Sequence, residues 1–97
     1  MGLFFKKSSI AENRIENSGR WPVRLTNFHL IDEYEFPATN FPEVFVVQEG
    51  SFLHETDAGT QALREGSVFV VNPGVNHVVK QPEEVILTRV RYLPEWL

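Results

Sequence analysis

The stretch GSVFVVNPGVNH, residues 66–77, decides how the rest of the chain reads. A glycine opens it, Ser67 and four apolar residues follow, Asn-Pro-Gly turns the chain, and His77 arrives three residues after Gly74. The apolar run is too short for a typical helix and rich in β-branched residues. Pro73 fixes one φ of the turn and Gly74 allows a positive one. The stretch reads as a strand, a turn and the start of another strand. His77 then has three readings: a metal ligand, a polar residue at a barrel mouth open to a ligand or to Glu43, or a histidine that fixes the turn. The barrel-mouth reading is preferred.

The same grammar extends in both directions. VRLTNFHLI (23–31), EVFVVQE (43–49), SFLHET (51–56), QALR (61–64), SVFVV (67–71), HVVK (77–80) and VILTRVRYL (85–93) read as short strands. Gly50, DAGT (57–60), EG (65–66), NPG (72–74) and Pro82 separate them. DEYE (32–35) and PEE (82–84) read as solvated loops. Residues 1–20 read as an N-terminal arm or leading strand, and residues 21–97 as one barrel domain. PEWL (94–97) has the Pro and Glu that suit a first helical turn. Many short strands with no long amphipathic helix predict an all-β sandwich or barrel.

Composition narrows the function. A chain of 97 residues fits one domain, and eight Phe and two Trp supply bulky core material. The net charge of −4, with no Lys/Arg cluster, argues against nucleic-acid binding through this domain. With no cysteine there is no disulfide, thiolate nucleophile or cysteine zinc site. No apolar run approaches the ~18 residues of a membrane helix, and the start lacks a signal-peptide pattern. A cytoplasmic location is the default expectation.

EVFVVQEG and GSVFVVNPGVNH together resemble the two motifs of a cupin, a small jelly-roll β-barrel (a double-stranded β-helix). Glu43 and Gly50 have the glutamate-to-glycine spacing of the first motif; Gly66, Pro73, Gly74 and His77 fit the second. Over residues 21–97 the chain is also similar to the N-terminal effector-binding domains of AraC-type transcription regulators, whose closing strand resembles TRVRYLPEWL. The resemblance implies a metal held by three histidines and the glutamate. Here FPATNFPE (36–43) offers no histidine pair ahead of Glu43. Two remaining ligands rarely hold a transition metal, so neither a metal nor another cofactor is expected.

Strand alternation places Phe45 with Glu43, and Val79 with His77. The resemblance puts Glu43 and His77 at one end of the barrel. An ion pair between them would raise the histidine pKa and lower that of the glutamate. Trp21, Phe28, Phe45, Phe69 and Tyr92 are candidate pocket walls. The expected ligand-binding set is Glu43, His77, Phe45, Phe69, Tyr92 and Trp21. Arg89 and Arg91 share a face that reads as solvent-exposed, with a ligand carboxylate or sugar as the other option. His54, near a hairpin turn, reads as a surface residue. Val68 and Val70 lie opposite Phe69 and Val71, so both faces of that strand read as buried, one filling the barrel and the other against a second layer or a partner.

No nucleophile with a base at a recognisable spacing is present, so the chain reads as a binding domain rather than an enzyme. The expected function is capture of a small-molecule effector, sugar-like or another metabolite, as the sensing and homodimerisation part of an AraC-type regulator. The alternatives are a stand-alone cupin enzyme using Glu43 and His77 as acid and base, and a domain whose only task is self-association.

Overall fold

The structure is a computed structural model that describes residues 13–16 and 23–92, with residues 13–16 and Tyr92 as backbone only. Trp21, the Tyr92 side chain and the PEWL segment therefore lie outside the described residues. Among the described residues seven strands are seen: β1 Asn13–Glu16, β2 Val23–Leu30, β3 Tyr34–Phe36, β4 Glu43–Thr56, β5 Gly59–Arg64, β6 Val68–Val71 and β7 His77–Tyr92. All pairings are antiparallel, as expected for an all-β jelly roll.

Two of the strands are longer than the turn signals suggest. Residues 43–49 and 51–56 form one strand, β4, and residues 77–80 and 85–92 form another, β7. PEE (82–84) is thus strand, not loop. The two strands pair with each other along most of their length, with three register shifts between Val47 and Leu53. These shifts are β-bulges, which bend a strand and increase its twist without ending it. On β7 the bend shows as positive φ at Gln81 (51°) and Glu84 (46°), on either side of Pro82.

The bend divides the molecule into two halves. In one, β1, β2, the C-terminal part of β7, the N-terminal part of β4 and β6 lie side by side. In the other, β3, the start of β7, the end of β4 and β5 do so. The halves face each other through their aromatic side chains. Phe28 and Phe45 of the first meet Phe36 of the second, with ring centroids 5.2 and 5.3 Å apart. Phe69 of the first meets Phe52 of the second at 6.3 Å. Leu30, Val47, Leu63, Val71, Val79, Val85 and Leu87 pack with them in the core. DEYE is also not a plain loop: Tyr34–Phe36 pairs with Val79–His77, which buries the Phe36 ring in the core.

The outer face of the first half carries exposed apolar side chains. Val68 and Val70 are 62% and 60% exposed, so no second layer of the described residues covers this face of β6. Across the sheet Val70 is followed by Val44, Val90 and Leu25 in register, all pointing the same way.

The tightest constraint is Gly50, at φ +86°. A Cβ there would sit 2.5 Å from the Glu83 carbonyl oxygen and 2.6 Å from that of Glu84. Gly50→Ala should lower unfolding free energy by about 2–4 kcal/mol, combining backbone strain with a main-chain clash. Gly66→Ala, also at positive φ but with open space around it, should cost only about 1–2 kcal/mol. Denaturant unfolding of the two variants checks the contrast.

Candidate functional site

Two polar groups are built into the apolar interior. The first lies where β4 begins. Glu43 is 2% exposed, on the inward face shared with Phe45 and Val47. Strand pairing sets it opposite Arg91, with Arg89 two residues along the same inward face. Arg91 Nε donates to Glu43 Oε2 at 3.0 Å, and Arg89 Nη1 lies 3.8 Å from the same oxygen. The Arg89 guanidinium also sits 4.9 Å above the Phe28 ring, a cation–π geometry. Arg89 and Arg91 are thus not a solvent-facing pair. They turn inward because a buried carboxylate must be matched by charge and hydrogen bonds.

The second group is a pair of histidines. His77 opens β7 and is 1% exposed; His54, near the end of β4, is 7% exposed. His54 Nε2 and His77 Nδ1 are 2.9 Å apart, a hydrogen bond between two imidazoles. This corrects the reading of His54 as a surface residue. His54 pairs across the strands with Val79, so alternation puts its side chain on the inward face beside Phe52. The signal was present in the sequence: Phe52 and His54 alternate inward just as Glu43, Phe45 and Val47 do. The bulges at Gly50 hid which face the second half of β4 would turn inward.

Aromatic rings enclose the pair. Phe36 stacks on His77 at 4.7 Å with ring planes 7° apart, Phe45 meets it edge-on at 5.1 Å, and Phe69 lies 4.4 Å from His54. Phe45 and Phe69, both expected site residues, stack on each other at 5.0 Å. Fixing the turn falls to a neighbour of His77: Asn76 Oδ1 accepts the Ala38 N–H at 2.7 Å.

Glu43 and His77 are not paired with each other. Each has a different partner, and the His77 pKa moves the opposite way. Burial, then the neighbouring His54, then the Arg89 charge lower it to about 4. Burial also lowers that of His54. Both rings are neutral at pH 7. His77 Nε2 is buried with no hydrogen-bond partner.

These residues do not fit the metal that the cupin resemblance implies. Phe36 stacks on His77, the Glu43 carboxylate is held by arginines, and His77 Nδ1 is held by His54. Among the described residues no group of three or more His, Cys, Asp or Glu could hold a metal ion.

One member of the histidine pair, His54, lines a surface cavity. A cavity of about 340 Å³ on the β4–β5 hairpin is lined by His54, Thr56, Ala58, Gly59, Thr60 and Gln61. A larger one, about 530 Å³, lies at the β4/β7 bend around Ser51, Leu53, Arg64, Ser67, Gln81 and Glu83.

Stability should fall with acid. Above pH 6.5 His77 is neutral in both states, and its contribution is fully present. Between pH 6.5 and about 4 the unfolded chain takes up a proton that the folded chain does not, so stability declines by up to about 1.4 kcal/mol per pH unit. His54 adds in the same direction. His54→Leu or His77→Phe alone should each cost about 1–3 kcal/mol by leaving the other ring short of its partner. The double variant should be near neutral and lose most of the acid slope. Unfolding between pH 4 and 7.5 measures both effects.

No family model matches this sequence, and no curated protein does. Solved structures do match its fold. A cupin 2 conserved barrel domain protein from Salinispora arenicola superposes with a TM-score of 0.74 at 14% identity, covering 89% of this chain and 77% of that one. A cupin-2 domain containing protein from Shewanella frigidimarina gives 0.70 at 19% identity, covering 93% and 91%. Protein NMB1881 from Neisseria meningitidis gives 0.71 at 18% identity, covering 95% and 97%. Among the described residues no helix is long and apolar enough to cross a membrane. Strand order, bent long strands and these superpositions agree that the chain folds as a cupin jelly-roll barrel.

Proposed function

We propose that this domain binds a small molecule at the hairpin cavity, with His54 as the direct contact and His77 behind it. One observation carries the reading: a buried pair of neutral imidazoles, incompletely hydrogen-bonded, has one member that lines a cavity. Burying polar nitrogens in an aromatic core lowers stability, and replacing both by apolar groups would remove that cost. Retaining them in a binding site gives the cost a purpose. Glu43 with its two arginines then serves to orient the barrel wall, while Phe45 and Phe69 hold the histidines in place.

In this proposal the domain acts as a sensor, as the effector-binding part of an AraC-type regulator does, and a sugar-like metabolite is the first class to test. A second copy of the chain is the proposed partner. Support comes from the row Leu25, Val90, Val44 and Val70, an apolar stripe across four strands that ends at the strongly exposed Val70, with exposed Val68 beside it on β6. A stand-alone enzyme is the second reading, favoured by the imidazole pair as an acid–base group; turnover of a bound compound, lost in His54→Gln, would select it.

Ligand-observed NMR with a panel of neutral sugars and small metabolites tests the binding reading. A hit should be lost in His54→Ala and kept in Glu83→Ala, at the bend cavity. Hits that survive His54→Ala would sink it. Light scattering over a dilution series tests the pairing: Val68→Lys with Val70→Lys should leave a mass near 11.2 kDa, and a wild-type chain already at that mass rejects the dimer.

A further inference from the structure

The ring nitrogens of the histidine pair fix more than their own contact. Of the four, His54 Nε2 and His77 Nδ1 face each other at 2.9 Å, so one carries a proton and the other is bare. If the proton were on His54 Nε2, neutral His77 would carry its own proton on Nε2. That atom is sealed with no partner, and an orphaned N–H is the rarer buried defect. If the proton is on His77 Nδ1, the sealed atom is a bare nitrogen. The network therefore assigns the bond as His77 Nδ1–H donating to His54 Nε2. Neutral His54 must then carry its proton on Nδ1. That nitrogen is not among the buried, unpartnered atoms, and His54 lines the hairpin cavity.

A second observation points the same way. Thr56 Oγ1 already accepts the Ala58 N–H at 3.1 Å, which leaves its hydroxyl proton to be donated. The cavity lining holds no charged residue. Its volume of about 340 Å³ is near the lower limit of ligand pockets, which run from ~300 to ~1,000 Å³.

We propose that His54 meets its ligand as a hydrogen-bond donor through Nδ1, its tautomer set by His77, so that the cavity selects a small uncharged molecule presenting a carbonyl or similar bare oxygen. This rests on the hairpin cavity being the ligand site. His54 is the contact, and His77 is a positioning residue that determines which polarity His54 shows. A ligand presenting only donors would face the His54 N–H and leave it unpaired.

Two matched probes and one spectroscopic signature test this. Long-range ¹⁵N–¹H spectra of the imidazoles at pH 7.5 should show Nδ1–H tautomers for both His54 and His77. Cyclopentanone should shift the His54 ring and the Thr60 and Gln61 amides, binding about tenfold or more tighter than cyclopentylammonium. His77→Leu should let the His54 ring populate both tautomers and reduce that preference, which a merely structural His77 would not do. If that variant does not fold, the wild-type tautomers still decide. An Nε2–H tautomer at His54, or hairpin shifts with the ammonium rather than the ketone, overturns this proposal and leaves the binding reading standing. A hairpin silent to every probe, sugars included, overturns both.

Discussion

Everything in this barrel depends on one close crossing of main chains. At Gly50 the backbone of β4 passes so near the carbonyls of Glu83 and Glu84 that no side chain fits between them. The contact lets two long strands bend together rather than part, with register shifts on β4 and left-handed residues on β7 absorbing the curvature. Because β4 and β7 each serve both halves, the bend closes one half over the other. It brings Phe36 and His77 from one side onto Phe45 from the other. Without the crossing there would be a single open sheet with exposed aromatics.

Inside that closure two polar groups are satisfied in different ways. Glu43 is matched by guanidiniums, so its charge is balanced from the sheet it stands on. A buried ion pair of this kind seldom adds much net stability, but removing one member is costly because the other is left charged in an apolar setting. The histidines are matched only by each other and remain neutral, since burial and the Arg89 charge both oppose an imidazolium. One buried ring nitrogen, His77 Nε2, still lacks a bond. The charged cluster therefore acts as architecture, and the neutral pair is the chemically unfinished part of the barrel.

This division separates the chain from the metal-holding pattern that its motifs resemble. Glu43 and His77 occupy motif positions, but each is committed to a residue outside those motifs. Phe36 stacks on His77 within a segment that the pattern would give to ligand histidines. The barrel interior is built around an aromatic and imidazole core.

By itself the sequence determined the all-β class, most strand positions and the cupin resemblance, because turn residues and strand alternation are local properties. Pro73 and Gly74 mark their turn wherever the rest of the chain goes, and Phe45 must share a face with Glu43. It also exposed the missing histidines before Glu43. Only the tertiary structure decided the partners. Gly50 and PEE (82–84) look like strand ends, and become bends because β4 and β7 keep pairing through them. Bulges shift the two-residue alternation, so the inward turn of His54 could not be counted from Glu43. Arg89 and Arg91 look like a solvated stripe until Glu43, 46 residues before Arg89, is placed beside them. A buried charge takes whichever opposite charge the fold brings near, and that choice is not written in local spacing.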